Sequence, residues 1–171
     1  MDRVTGQDRG VVSRTPRPKS AAQTSLDETS KRIVEQLQED GRRPYAAIGK
    51  AVGLSEAAVR QRVQRLLDTG VMQIVAVTDP LQVGFARQAM IGIRVEGDMN
   101  EVADRLSELP EIDYVVVTAG SYDLLVEVVC EDDEHLLDLL TQRIRAIPQV
   151  RYTETFVYLK LRKQLYNWGT R

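Results

Sequence analysis

The hydrophobic pattern changes period part-way along the chain, and this change limits the fold more than any other feature of the sequence. From Ile33 to about residue 68, apolar residues recur every three or four positions, which places them on one face of a helix. From residue 88 they alternate with other residues, as Ala89, Ile91 and Ile93 do, which is typical of a half-buried strand. The pattern therefore predicts two modules and an α+β chain.

Three short helices are predicted in the first module. Ser25 and Asp27 are rival N-caps for the first helix, and Ser55 is placed to cap the third. Glycine or proline marks the helix boundaries, at Gly41, Pro44, Gly53 and Gly70. The segment 71–77 is rich in β-branched residues, so we expect a strand or a hairpin arm there.

The second module reads as strand, helix, strand, strand, helix, strand. The predicted ranges are 88–95, 99–109, 114–118, 124–130, 133–147 and 150–161. This βαββαβ order is that of a ferredoxin-like fold, with four antiparallel strands and two helices on one face. A disordered basic tail at 1–24 and a linker at 78–87 complete the predicted organisation.

Charge is distributed unevenly between the two modules. Residues 1–70 carry 13 Lys and Arg against 9 Asp and Glu, whereas residues 71–171 carry 10 against 16. A basic segment is what a phosphate-binding module needs. No apolar stretch reaches the eighteen or so residues of a membrane span, and the N-terminus resembles no secretory signal. We therefore expect a cytoplasmic protein with no membrane segment.

Residue types that serve catalysis or metal binding are scarce. The single cysteine, Cys130, lies in an apolar run and is expected to be a small buried hydrophobic residue. The single histidine, His135, opens an acidic helix and is expected to be a solvated surface residue. No glycine-rich phosphate loop occurs, and no cluster of carboxylates with histidines or thiols. We therefore expect no enzyme, no catalytic residue, no metal site and no cofactor.

The third helix carries side chains suited to the major groove of DNA. At 100° per residue, the inward positions are Val59, Val63, Leu66 and Leu67. The opposite side, with Arg60 on its flank, carries Ala57, Gln61, Gln64 and Arg65. Gln pairs with adenine, Arg pairs with guanine, and Ala packs on thymine methyl groups. An ordinary solvated face mixes acids with bases, whereas no acid occurs between Ala57 and Leu67.

One arginine of this helix is treated differently. Arg62 lies nearer to the buried side than to the exposed side, so we expect a phosphate contact or a structural ion pair from it. The predicted DNA-binding residues are Ser55, Ala57, Arg60, Gln61, Arg62, Gln64 and Arg65.

A turn in the second module is a candidate ligand site. Gly120 permits close backbone approach or a positive φ, and Ser121, Tyr122 and Asp123 bring a hydroxyl, a ring and a carboxylate to a hairpin end. Backbone amides there suit a carboxylate and Asp123 suits an ammonium, which together describe an amino acid. The alternative is a structural turn in which Asp123 bonds its own backbone, and the residues alone slightly favour it.

The sequence resembles the Lrp/AsnC (feast/famine) family of transcription regulators. The resemblance covers roughly residues 26–165 and is carried by VGLS at 52–55, VRQRVQRL at 59–66, GV at 70–71, DP at 79–80, GF at 84–85 and TAGSYDLL at 118–125. It implies a winged helix-turn-helix at 25–77 and a ferredoxin-like effector-binding and oligomerisation domain at 88–171. It also implies dimers whose sheets pair back to back and which assemble into octamers.

The resemblance also implies a function. A regulator of this kind binds promoter half-sites in double-stranded DNA, and an amino acid changes its oligomeric state or its DNA affinity. The implied effector-binding residues are Thr118, Gly120, Ser121, Tyr122 and Asp123. A weaker resemblance of 71–77 and 85–90 to regulators of alanine dehydrogenase makes alanine a candidate effector. The alternative is an amino-acid-binding oligomer that uses its helical module for protein contacts.

Overall fold

The computed structural model describes residues 26–165 and 169–170, and their contacts form two compact units. Among the described residues, 26–75 form the first unit together with Leu165, Gly169 and Thr170, and Ala76–Gln164 form the second. The predicted tail at 1–24 lies outside the described residues.

Gly169 and Thr170 belong by their contacts to the first unit. The amide of Gly169 donates to the side-chain oxygen of Gln38 over 3.2 Å. The hydroxyl of Thr170 donates to Glu35 over 2.5 Å. These polar contacts on a helix carry no hydrophobic pattern, so nothing in the sequence indicated them.

Three helices form the body of the first unit, and they confirm the predicted helix-turn-helix. Their bounds are α1 Glu28–Glu39, α2 Tyr45–Val52 and α3 Glu56–Asp68. Of the two rival caps, Asp27 is the N-cap of α1, with its carboxylate accepting from the Ser30 amide, while Ser25 lies outside the described residues. Ser55 caps α3 by accepting from the Ala58 amide over 3.2 Å. The buried core residues are Ile33, Leu37, Ile48, Val59 and Val63.

The predicted strand at 71–77 does not form. This segment has no regular secondary structure, and the side chains of Val75 and Val77 are exposed. A strand needs a neighbour to pair its backbone groups, and the described part of the first unit contains no other strand. The β-branched residues therefore favour an extended backbone, but no strand of the first unit pairs with it. The predicted wing is absent from the described chain.

The second unit has the predicted βαββαβ order and sheet. Its elements are β1 Arg87–Val95, α4 Met99–Ser107, β2 Ile112–Val117, β3 Leu124–Cys130, α5 Asp133–Asp138 and β4 Val150–Val157. All pairings are antiparallel, and the strand order is β2-β3-β1-β4. This arrangement confirms the ferredoxin-like prediction. The predicted helix 133–147 is α-helical only in α5 and continues as a π-helical turn, Leu139–Ile144.

The alternation along β1 separates the two faces of the sheet. Ala89, Ile91 and Ile93 are fully buried in the core that the sheet forms with the helices. The intervening residues Gly92 and Arg94 lie on the opposite, outer face, where they pair with Glu154 and Tyr152 of β4. The outer face therefore carries its own set of polar and aromatic side chains.

The burial of Cys130 agrees with its prediction, whereas that of His135 does not. Cys130 is buried in the core as predicted, and burial raises the pKa of its thiol to about 11. The prediction of a solvated His135 is wrong. Its side chain is 29% exposed, and Nε2 lies 3.5 Å from the carboxylate of Glu111, which is itself only 12% exposed. The partner is 24 positions away, beyond the reach of any local pattern.

An ion pair joins α3 to the start of α1. Arg62 donates to Asp27 over 2.6 Å and to the Ser30 hydroxyl over 3.0 Å. The hydrogen bond from Arg62, followed by that from the Ser30 amide, lowers the pKa of Asp27 to about 2. Of the two roles expected for Arg62, the structural ion pair is the one that this geometry forms.

Among the described residues, no helix is long and apolar enough to cross a membrane.

We expect the first unit to weaken in acid through Asp27. Because folding lowers the pKa of Asp27 from 3.8 to about 2, this stabilisation is fully present above pH 3.8 and is lost as the pH falls through 2. Arg62→Gln should return the pKa towards its ordinary value, as NMR titration of the carboxyl carbon measures. Asp27→Asn is the control, since Asn still caps α1 but carries no charge. An Asp27 pKa unchanged in Arg62→Gln contradicts this assignment.

Candidate DNA interface and effector loop

The residues predicted to read DNA bases share one exposed side of α3. Val59, Val63 and Leu66 are buried against the other helices. The exposed side chains are Ser55, Ala57, Arg60, Gln61, Gln64 and Arg65. Arg62 stands apart from them in its ion pair with Asp27. The helical geometry therefore groups the residues in the way that the 100° spacing requires.

Two of these side chains are held by an acid one turn away. Arg60 donates to Glu56 over 2.9 Å, and Gln64 donates to Asp68 over 2.8 Å. Gln61 and Arg65 form no side-chain hydrogen bond with any described residue. The middle of the exposed face and the side towards Arg65 thus carry side chains that are free to meet a ligand, whereas the flank of Arg60 and Gln64 carries side chains that are already oriented.

The loop at 118–123 joins β2 to β3 and is fastened to β1. The amide of Thr118 donates to the Asp123 carbonyl over 2.9 Å, and its hydroxyl donates to the Tyr122 carbonyl over 2.5 Å. The amide of Asp123 donates to the Ile93 carbonyl over 2.9 Å, and its Oδ2 accepts from the Val95 amide over 2.8 Å. The amides of residues 119–122 donate to no described residue.

These bonds change the interpretation of two predicted effector residues. One carboxylate oxygen of Asp123 is engaged by the backbone of β1, so the residue holds the loop in place as well as offering charge. Neither expected reason for Gly120 applies in the single chain. Its φ is not positive, and a Cβ added there meets no atom within 4 Å. A side chain at position 120 therefore points into open space.

Tyr122 lies across the outer face of the sheet. A Cβ added to Gly92 would approach its ring to 2.7 Å, so only glycine leaves room for the ring in this position. The hydroxyl of Tyr122 bonds to Glu154, and its ring meets that of Phe156 edge-on at 6.3 Å. The loop is thus attached to β4 as well as to β1.

Arg94 completes this corner of the sheet. Its Nε donates to the Ser121 carbonyl over 2.9 Å. Its guanidinium lies 5.9 Å from the ring centre of Tyr122 and 5.4 Å from that of Tyr152, a cation–π arrangement on both sides. No described residue accepts a hydrogen bond from Nη1 or Nη2. An exposed and oriented guanidinium therefore stands beside the free amides of the loop.

Two family profiles match the two units. Residues 26–67 match an AsnC-type helix-turn-helix domain, and residues 85–171 match an AsnC-type C-terminal dimeric alpha+beta barrel domain. This chain belongs to the Lrp/AsnC family of transcription regulators.

Individual relatives agree with the family. The HTH-type transcriptional regulator FL11 of Pyrococcus horikoshii is 37% identical over 81% of this chain and 93% of its own length. The leucine response regulatory protein LrpA of Mycobacterium tuberculosis is 30% identical, with a TM-score of 0.73 over 82% of this chain and all of that one. A Neisseria meningitidis transcriptional regulator in complex with L-Met shares the fold at 23% identity, with a TM-score of 0.71 over 82% of this chain and 94% of that one.

Sequence reasoning missed the contacts that fasten the loop of this Lrp/AsnC protein. Arg94 looked like one member of an alternating strand, and Glu154 is 32 positions from the hydroxyl that it meets. One signal was present, since an isolated glycine inside a strand often marks close approach by another group, and Gly92 is such a glycine. Among the described residues, no group of three or more His, Cys, Asp or Glu is arranged to hold a metal ion.

We expect Gly92→Ala to displace Tyr122 and to destabilise the second unit. Because the new Cβ lies 2.7 Å from the ring, the cost should be that of overpacking, about 1–3 kcal/mol. Urea unfolding at a fixed protein concentration measures this loss. Gly120→Ala makes the same change where no atom lies within 4 Å, and should alter the free energy of unfolding by about 0.5 kcal/mol or less. Equal effects of the two variants contradict the role given to Gly92.

Proposed function

We propose that this regulator reads promoter DNA with α3 and that an amino acid bound at loop 118–123 changes its oligomeric state or its DNA affinity. The observation that carries the proposal is the exposed side of α3, which has four arginines or glutamines, while no acid occurs between Ala57 and Leu67. In this division of labour the first unit binds DNA and the second binds the effector.

Base reading falls to the middle of the exposed face. Gln61 and Arg65 are exposed and make no side-chain hydrogen bond to described residues, so they are available for bidentate pairing with adenine and guanine. Ala57 lies on the same side, where its methyl group suits a thymine methyl. Gln64 reads a base while Asp68 holds one of its N–H groups. Arg62 does not read a base and instead stabilises the first unit through its ion pair with Asp27.

The effector site pairs an anion-binding side with a cation-binding side. The free amides of residues 119–122 and the oriented guanidinium of Arg94 suit the carboxylate of an amino acid. The carboxylate oxygen of Asp123 that is not bonded to Val95 suits its ammonium group. The open space beyond Gly120 leaves room for the ligand or for a neighbouring subunit. Relatives named for leucine and L-Met support an aliphatic amino acid, and alanine remains a candidate.

Dimerisation through the outer face of the sheet completes the proposal. Tyr114, Tyr152 and Phe156 expose 50%, 48% and 46% of their surfaces, which leaves aromatic area for a second copy to cover. The unpaired segment 71–77 offers backbone groups and β-branched side chains to the same partner. Four such dimers assemble into an octamer, and the half-sites on DNA follow the dimer symmetry.

We expect Gln61→Ala to relax sequence preference. Binding to DNA selected from a random pool should weaken by about 1–3 kcal/mol, because one base contact is lost, while binding to random duplex stays nearly unchanged. Mobility-shift titration measures both affinities, and Gln142→Ala is the control, since it removes an exposed glutamine from the second unit. Equal weakening on selected and random DNA contradicts base reading by Gln61. A wild-type protein that shifts no DNA favours the protein-binding alternative.

We expect Arg94→Gln to weaken amino-acid binding about 10-fold or more, the loss that a charge-assisted hydrogen bond brings. Calorimetric titration with L-leucine, L-methionine and L-alanine measures this effect. Arg151→Gln is the matched control, because Arg151 is an exposed arginine on β4 whose partner is Glu96. Unchanged affinity in Arg94→Gln removes Arg94 from the site. No binding of any common amino acid by the wild type removes the site itself.

A further inference from the structure

Arg60 is held on two sides, and neither contact belongs to the base-reading face. Its guanidinium lies 5.3 Å from the centre of the Tyr45 ring. Its Nη2 also donates to Oε1 of Glu56 over 2.9 Å. The arginine and glutamate side chains are 65% and 52% exposed, so both remain accessible to a ligand. The ring and the carboxylate together orient a long side chain that would otherwise sample many rotamers.

Tyr45 is a firm support for this arginine. It is the first residue of α2, directly after Pro44, and its ring packs against the hydrophobic core of the first unit. The ring therefore connects the start of α2 to the flank of α3. In a helix-turn-helix, the helix before the recognition helix crosses the sugar–phosphate backbone. An arginine stacked at the start of α2 is thus placed beside phosphate rather than over base edges.

We propose that Tyr45 is a positioning residue that holds Arg60 for a phosphate contact, and that Glu56 is the counter-ion that the phosphate displaces. This inference rests on the proposed binding of DNA by α3. Tyr45 acts through the face of its ring, whose negative quadrupole attracts the guanidinium. Glu56 acts as an exchangeable counter-ion that keeps Arg60 extended until a phosphate replaces it.

The exchange is favourable because the internal ion pair is weak. An exposed pair between two flexible side chains gains little in water and is screened by salt. A phosphate offers the guanidinium a bidentate contact, and its neutralisation releases counterions into solution. Glu56 also stands at the first turn of α3, where its charge suits the helix dipole, so the acid can remain there after Arg60 leaves it.

Binding to a random-sequence duplex of about 30 base pairs tests the contact of Arg60 with phosphate, because phosphate contacts do not depend on sequence. Tyr45→Leu should weaken binding about 2- to 5-fold, the size of an exposed cation–π contact, whereas Tyr45→Phe should bind like the wild type. Arg60→Gln should reduce the slope of log affinity against log salt by about 1. An unchanged slope, or equal weakening by Tyr45→Phe and Tyr45→Leu, overturns the assignment. Thermal unfolding identifies any loss that reflects only the packing of Tyr45.

A double-mutant cycle tests the role of Glu56, whose side chain is exposed. Glu56→Gln should tighten binding about 2- to 5-fold in the wild type, because the phosphate no longer competes with an ion pair of this size. In the Arg60→Gln background, the effects of Glu56→Gln and Tyr45→Leu should shrink by more than half. Full effects in that background show action independent of Arg60 and overturn the inference, although DNA binding by α3 survives. A wild type that binds neither random nor selected duplex overturns both.

Discussion

The central position of β1 is the constraint on which the second unit depends. It pairs with β3 on one side and β4 on the other, so its inner side chains form the middle of the core. Its outer side then determines what the loop can do, because Gly92 admits the Tyr122 ring and Arg94 bonds to Ser121. A single strand thus connects the stability of the unit with the geometry of the proposed effector site, since neither face can shift register without moving the other.

The sequence predicted those features of the protein that depend on residues close together in the chain. The exposed side of α3 followed from the 100° turn per residue, since Val59 and Val63 must face inward and Gln61 must then face outward. The ferredoxin-like sheet of the second unit followed from the alternation of apolar residues and the βαββαβ order of elements. The Asp27 cap was one of two local options, and the structure selects it.

Contacts between residues distant in sequence could not be predicted in the same way. Arg62 meets Asp27 across 35 positions, and His135 meets Glu111 across 24, with no repeated spacing to indicate either pair. The segment 71–77 shows the converse case, in which a local preference for a strand is present but no strand forms. Its β-branched residues favour an extended backbone, yet a strand exists only where a second one pairs with it, and the described first unit supplies none.

In the function that we propose, Tyr122 is the physical route by which a ligand at the loop acts on the assembly. It lies in the loop, but its ring rests on the outer face of the sheet beside Phe156, the face that we propose a second copy covers. A ligand that favours one position of Tyr122 therefore favours one shape of that face, and the Tyr122 ring, packed on Gly92, has few intermediate positions. Thermodynamic linkage then requires the reverse effect as well. Assembly that prefers one position of Tyr122 must change the affinity for the ligand by the same factor.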